Sequence, residues 1–342
     1  MIRYRKIYII CSGIKPTGGI ETLHQLCDKI NESKHTQAYI HYINKQSKVI
    51  DIYEKYNIRL ANTIEDNNQN LLIVPEGVTY YLYRFKHINK AIFWLSLDYY
   101  FRSNIDYRVN NFLKSYKYLE PFKTFLYFYL SIIKDQKKIY NFSKNDGSIK
   151  HFYNCEYIRE YLLQKRVDKK NMYYLCGPLS DIYFEICDIE NIDKQNIVVY
   201  NPAKGKEICE RIANYFKSRN SELEFIPIEN MTTLEVYNLL KKSKVYMDFG
   251  YFPGPERIPR EAVMLYCNIL TSRLGAANNT IDVPIDEKYK FDTEELDIEK
   301  VYNLINELIY NYKEYLSDFN LYREKVFNQK KLFNDNISKL LT

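Results

Sequence analysis

Residues 248–278 constrain the fold more than any other stretch of this chain. An apolar run, Lys244 to Phe249, enters a turn rich in glycine and proline, Gly250-Tyr-Phe-Pro-Gly-Pro255. A short helix follows, opened by Pro259, whose missing N–H is no loss at a first helical position. Asn268 to Thr271 reads as the next strand and Leu274 to Asn279 as a second loop. Strand, loop, helix, strand and loop in that order make a parallel βαβ unit. Both loops then emerge at the carboxyl ends of the strands, the edge at which open α/β sheets bind ligands.

The charges of this stretch collect at that edge. Glu256, Arg257, Arg260 and Glu261 all fall in the loop or the first helical turn. Glu261 can accept two hydrogen bonds from a ribose diol, and Arg257 and Arg260 offer planar forks to phosphate. The same residues also read as a carboxylate complementing the helix dipole and arginines paired with glutamates. On these residues alone both readings stand.

The pattern occurs in both halves of the chain. Lys6 to Cys11 is a strand and Ser12 to Gly19 a loop. Ile20, Leu23, Leu26, Cys27 and Ile30 then recur at helical spacing before a strand from Ala38 to Ile43. Gly13 and Gly18 are spaced as in a P-loop, but Gly19-Ile20 stands where that motif needs Lys-Ser/Thr, and the dinucleotide fingerprint is missing too. What remains is Gly18-Gly19-Ile20-Glu21 at a helix start, where backbone can approach a ligand and N–H groups point outward. A tight turn with Glu21 as dipole partner is the plainer reading. The strands Leu71 to Val74 and Ala91 to Leu97 deliver Glu76 and Asp98 to their carboxyl ends. Either carboxylate could orient an acceptor hydroxyl or take its proton, or simply cap the next helix. Ile149 to Tyr153 and Asn171 to Cys176 complete the first set of strands. From Asn196 the alternation restarts, with strands Asn196 to Tyr200 and Leu223 to Ile228 and helices Glu207 to Phe216 and Thr233 to Lys242. Ile298 to Leu341 reads as one long helical stretch.

A chain of 342 residues suits two domains, each with its own core. No apolar run approaches the length of a membrane span. The seven cysteines are odd in number, scattered and without a C-x-x-C, and the five histidines lack ligand spacing. Neither a disulfide framework nor a metal site is expected, and reduced thiols fit the cytoplasm. The net charge of +6 is uneven: from Arg102 to Lys150 ten basic residues face four acidic ones, interleaved with aromatics. The basic aromatic segment 102–140 could lie flat on a membrane surface or form amphipathic helices packed on the first domain. No nucleic-acid-binding motif accompanies it.

The stretch around Glu261 resembles the nucleotide-sugar site of retaining glycosyltransferases with the GT-B fold. Their pattern is a glutamate, seven residues, then a second glutamate followed by alanine, and Glu261-Ala262 matches the second half. The first glutamate falls on Pro253, for which Glu256 is the nearest substitute. Lys204-Gly205 is similar to the lysine and glycine that hold the donor's diphosphate, although Val199 stands where that family has an arginine. Arg257, Arg260 or Arg273 would supply the charge that Val199 lacks. Gly18-Gly19-Ile20-Glu21 resembles the family's Gly-Gly-x-Glu beside the donor phosphates and the acceptor.

The resemblance implies two Rossmann-like α/β domains facing across a cleft, with a C-terminal helix crossing back to the first. Their expected extents are 1–178 for an acceptor-side domain, 179–195 for a linker, 196–320 for a nucleotide-sugar domain and 321–342 for the returning helix. It implies a metal-independent, retaining enzyme that moves a sugar from a nucleotide-diphosphate donor to a glycan or lipid-linked acceptor. Bacterial surface polysaccharide such as capsule is the expected product, made in the cytoplasm or at the inner face of the membrane. The catalytic set would be Asp98, Lys204 and Glu261. The donor would contact Gly18, Gly19, Glu21, Asn201, Lys204, Glu256, Arg257, Arg260, Glu261, Arg273, Gly275 and Ala276, the loop around Gly275 lending N–H groups. Two other readings stay open: a non-catalytic subunit of the same fold that binds a partner transferase or glycan, and an enzyme of that fold acting on the sugar nucleotide itself.

Overall fold

A computed structural model describes residues 4–12, 17–33, 36–103, 139–144, 147–185 and 193–341. The chain divides into two compact units. The first comprises the described residues of Met1–Asn154, Ile158–Gly177 and Phe333–Thr342, and the second those of Cys155–Tyr157 and Pro178–Leu332.

In the first unit the strands are β1 (Lys6–Cys11), β2 (Gln37–Tyr42), β3 (Asn70–Pro75), β4 (Asn89–Trp94), β5 (Lys150–Tyr153) and β6 (Met172–Tyr174). They form one parallel sheet in the order β2-β1-β3-β4-β5-β6. Helices α1 (Gly18–Glu32), α2 (Leu97–Ser103) and α3 (Glu156–Gln164) connect them. Strand β1 is apolar almost throughout because a parallel sheet is covered on both faces. Its Ile7 and Ile9 pack with Leu23, Leu26 and Ile30, the apolar stripe of α1. Thr17 caps that helix by accepting the Ile20 N–H at 3.3 Å.

The second unit repeats the scheme with β7 (Gln195–Tyr200), β8 (Glu224–Pro227), β9 (Ser243–Asp248), β10 (Asn268–Ser272) and β11 (Lys290–Phe291). All run parallel, in the order β11-β10-β9-β7-β8. The helices are α4 (Lys206–Ser218), α5 (Thr233–Lys242), α6 (Arg257–Met264), α7 (Ile298–Tyr310) and α8 (Asn320–Leu341). A capping box, Thr232 with Glu235, starts α5. The last turns of α8 bring Phe333, Ile337 and Leu340 into the core of the first unit, where Asn336 donates to the Tyr174 carbonyl at 3.0 Å. Two Rossmann-like sheets and a returning terminal helix are the architecture expected from the sequence.

Three local expectations change. Helix α6 begins at Arg257, so Pro259 is its third residue rather than its first. Its missing N–H is still harmless there, because the first four amides of a helix have no intrahelical acceptor. The stretch Ile298 to Leu341 is interrupted: α7 ends at Tyr310 with Asn311 as its cap, and a helical turn and a 3₁₀ segment lead through Phe319 to α8. The break buries Tyr312 and Phe319, with the Tyr312 hydroxyl donating to Tyr266 O at 2.6 Å, which one straight rod could not do. Strand β4 closes at Trp94, so Asp98 lies in the first turn of α2 and not at a strand end.

The basic aromatic segment falls largely on residues 104–138, outside the described residues. At its end Tyr140 is buried, and with the half-buried Phe142 just beyond it clusters with Trp94, Tyr100 and Tyr161 around His151. Trp94 Nε1–H donates to His151 Nδ1 at 3.0 Å, and burial lowers the pKa of that imidazole to about 4. No helix among the described residues is long and apolar enough to cross a membrane.

Helix α6 is held at its far end by a half-buried lysine. Lys194 Nζ donates to Ser243 O and Leu265 O at 2.6 Å each and to Leu240 O at 3.2 Å. It thereby closes the carboxyl ends of α5 and α6 against the start of β9, where a cation also meets the negative end of each helix dipole. Lys194→Met removes the donor from three carbonyls and should lower the unfolding free energy by about 2–4 kcal/mol, measured by urea denaturation. A change within a few tenths would show that water satisfies those carbonyls equally well.

Candidate functional site

The second unit gathers its polar side chains at the carboxyl ends of β7, β9 and β10. Asp248 ends β9 and is wholly buried. Its Oδ2 accepts from the Tyr246 hydroxyl at 2.9 Å and Asn201 Nδ2 at 3.3 Å, and its Oδ1 from the Gly250 N–H at 3.1 Å. Burial raises its pKa to about 6, against the pull of these three hydrogen bonds and with a smaller push from Glu256. Asn201 Oδ1 accepts the Ala203 N–H at 3.1 Å. The Asn201 amide, expected to meet the donor, therefore spends both ends shaping the loop that carries Lys204.

That loop is packed against the turn after β9. Gly205 sits at φ +74°, and a Cβ there would come within 2.8 Å of the Phe249 backbone. A Cβ on Gly250 would come within 2.1 Å of the Lys204 Cβ. Both glycines are required because two backbones approach too closely for side chains. Lys204 is consequently set beside the α6 loop, and its Nζ meets Glu256 Oε1 at 2.7 Å, both side chains partly exposed.

Of the α6 residues, Arg257 Nε bonds Glu261 Oε1 and its Nη2 donates to Ser180 Oγ at 3.2 Å. Glu261 is nearly buried, 3% exposed. Arg260 does not present a free fork. Its Nε donates to Glu256 O at 3.1 Å, Nη1 to Gln329 Oε1 at 2.9 Å and Nη2 to Pro255 O at 3.3 Å. It is 8% exposed, and these three hydrogen bonds tie its guanidinium to the loop and to α8. Arg273 also turns elsewhere, pairing with Glu287 through Nη1 and donating from Nη2 to Glu287 O at 3.1 Å.

The second loop is joined to the first by backbone. Phe252 N donates to Leu274 O at 3.2 Å and Ala276 N to Phe252 O at 2.9 Å. The Ala276 N–H expected to face a ligand is thus committed inside the protein. Gly275 has φ +66°, and a Cβ there would lie 2.2 Å from Phe252 O, so the residue serves this junction. Ser272 Oγ donates to Gly250 O and accepts the Leu274 N–H. Sequence reasoning missed Asp248, Ser272, Ser180 and Gln329 as organisers. A carboxylate closing an apolar strand just ahead of a glycine was the one available signal.

In the first unit Gly18 and Gly19 open α1, and a Cβ on Gly19 would make only ordinary contact with Leu95. Glu21 accepts from the Tyr56 hydroxyl at 3.1 Å, with Lys55 Nζ 3.8 Å away. Asp98 pairs with Arg102 at 3.2 Å one helical turn on. Glu76 is a backbone clamp: buried, it accepts the N–H groups of Leu95 at 2.9 Å and Ser96 at 3.1 Å. Burial raises its pKa to about 7 despite those bonds. Among the described residues no group of three His, Cys, Asp or Glu side chains is arranged to hold a metal.

No family model matches the chain, and no curated protein matches it. Solved structures do. HepE of Anabaena, solved in complex with UDP-glucose, is 9% identical with a TM-score of 0.59, over 98% of this chain and 99% of that one. A glycosyltransferase from Rickettsia africae is 11% identical with a TM-score of 0.58, over 99% and 98%. Sucrose-phosphate synthase of Thermosynechococcus elongatus is 11% identical with a TM-score of 0.57, over 98% of both chains. The likeness extends over the whole length of each and establishes a GT-B fold.

Asp248 should leave a signature in the pH dependence of stability. Its carboxyl ionises near 3.8 in the unfolded chain and near 6 in the fold. The folded state is therefore favoured by the proton. The contribution is complete below the unfolded value and lost as the pH rises through about 6. Between pH 4 and pH 7 the stability of the native chain relative to Asp248→Asn should fall by about 2–2.5 kcal/mol, read from urea unfolding at each pH. A difference that stays constant across that range would remove the carboxylate from its buried node.

Proposed function

We propose that the chain is a retaining glycosyltransferase that takes its sugar from a nucleotide-diphosphate donor without a metal ion and passes it to a glycan or lipid-linked acceptor. The observation that carries the reading is a pair of ion pairs at neighbouring strand ends: Lys204, from the loop after β7, meets Glu256, from the loop after β9, and Arg257 meets Glu261 in the helix that follows. The strands are adjacent in the sheet, and their carboxyl ends are the ligand edge of such a fold. The GT-B fold shared with UDP-glucose-bound HepE supports the same conclusion.

The chemistry follows from the charges. Departure of the donor's diphosphate develops negative charge on phosphate oxygens, and fixed cations stabilise it most where water is scarce. Lys204 and Arg257 are the cations at this edge. In the free protein each is balanced by a glutamate, so the incoming diphosphate takes Lys204 over from Glu256. The partly exposed pair resists little, since ion pairs of that kind contribute about 0–1 kcal/mol. Glu261, held in place by Arg257, is the carboxylate for the donor's ribose. Arg260, Arg273, Asn201, Gly275 and Ala276 support the site from behind. In the first unit we assign Gly18, Gly19 and Glu21 to the donor phosphates and Asp98 to the acceptor hydroxyl. The setting we assign is assembly of bacterial surface polysaccharide such as capsule, in the cytoplasm or at the inner face of the membrane.

A second reading has its own observation. Val199 and Pro253, which replace the arginine and glutamate of the resembled family, are both buried. That favours a non-catalytic subunit which keeps the fold and binds a partner transferase or glycan. Calorimetric titration with UDP, GDP and dTDP, followed by turnover assays on the matching sugar nucleotides, separates the two. The glycosyltransferase reading expects one nucleotide to bind and its sugar to be transferred.

Lys204→Ala should weaken that nucleotide at least tenfold, about 1.4 kcal/mol, without shifting the melting temperature. Glu261→Ala should also weaken it, with some loss of stability because Arg257 loses its buried partner. Unchanged affinity in both variants would dismiss the site.

A further inference from the structure

The first unit contains a cavity of about 720 Å³ at the carboxyl end of its edge strand β2, within the size range of small-molecule sites, roughly 300–1,000 Å³. It is lined by the end of β2 and the turn after it, by residues 60–62, and by Tyr80, Tyr81 and Arg84 of the 3₁₀ segment after β3. None of these residues belongs to the site described above.

The lining has a consistent chemistry. Lys45 and Arg84 are cationic, and no carboxylate lines the cavity. Arg84 lies over the Tyr81 ring at 4.2 Å and the Tyr80 ring at 5.4 Å, so aromatic faces hold it in place. Gln46 Oε1 is buried without a hydrogen-bond partner, an acceptor that costs stability until a donor reaches it. His41 Nδ1 lies 2.8 Å from Ala61 O. A carbonyl only accepts, so Nδ1 carries the proton and Nε2 of the neutral ring is left as an acceptor. Asn62 adds an exposed amide. Lys45 sits at φ +57°, a left-handed conformation that lysine seldom adopts and that accumulates at ligand sites.

Hydroxyl donors for Gln46 and His41, an apolar ring face for the half-buried Tyr80 and an anion for Arg84 and Lys45 describe one class of ligand. We propose that this cavity binds a sugar bearing a negative charge, a uronate or a sugar phosphate. In the glycosyltransferase reading such a sugar belongs to the acceptor chain, and to that extent the inference rests on that reading.

The test is calorimetric titration of the full chain with cellobiouronic acid, with its neutral counterpart cellobiose and with glucose 6-phosphate, alongside UDP. The acidic disaccharide should bind at least tenfold tighter than cellobiose. Arg84→Gln should abolish that preference, and Tyr80→Ala should weaken both disaccharides, while UDP affinity stays unchanged in each variant. Tighter binding of glucose 6-phosphate than of the uronate would assign phosphate as the anion. Equal affinity for the charged and neutral disaccharides, or a preference that survives Arg84→Gln, overturns the proposal. Nucleotide binding with no sugar binding overturns this site alone. Sugar binding with no nucleotide binding overturns the transferase reading and leaves this site standing.

Discussion

One buried carboxylate holds the carboxyl-end rim of the second unit's sheet together. Asp248 closes β9, and its two oxygens draw in the β7 loop through Asn201, the β9 turn through Gly250 and the strand itself through Tyr246. Taking a carboxylate out of water is costly unless hydrogen bonds replace its hydration. Here the compensation comes from the very segments whose positions matter. Close approach adds to it, since Gly205 and Gly250 let two backbones meet where a Cβ would collide. The β10 loop is tied in by Phe252, Gly275, Ala276 and Ser272. Three loops from three strands thus form one continuous rim.

On that rim the charges are mostly balanced in the free protein, and burial separates those that can be released from those that cannot. Lys204 and Glu256 are partly exposed, so water competes with their attraction. Arg260 is surrounded by two carbonyls and an amide at a depth where breaking the contacts would strand a charge. Two arginines three residues apart in the chain therefore have different roles. The cavity in the first unit shows the converse, one cation, Arg84, held by aromatic rings with no carboxylate in its lining.

The alternation of strand and helix was legible because burial leaves a period in the sequence. β1 was read over its full extent, and α5 likewise, since apolar runs and helical spacing reflect contacts made within the element itself. Boundaries were less legible where a side chain far along the chain decided them. The break at Asn311 serves to bury Tyr312 and Phe319, and nothing local announces it. The start of α6 at Arg257 differs from the proline-based expectation because any of the first three helical positions tolerates a missing N–H.

By itself the sequence determined the class of fold, two rounds of parallel β/α alternation, and the stretches that had to lie at the carboxyl ends of the strands. It determined which residues carry charge there, since Lys204, Glu256, Arg257, Arg260 and Glu261 flank glycines and prolines that cannot continue a strand. Only the tertiary structure decided which of those charges are available. Availability depends on depth and on partners distant in the chain: Gln329 for Arg260, Ser180 for Arg257 and Glu287 for Arg273. A residue's chemistry is local, whereas its solvation and the occupancy of its hydrogen bonds are set by whatever the fold packs against it.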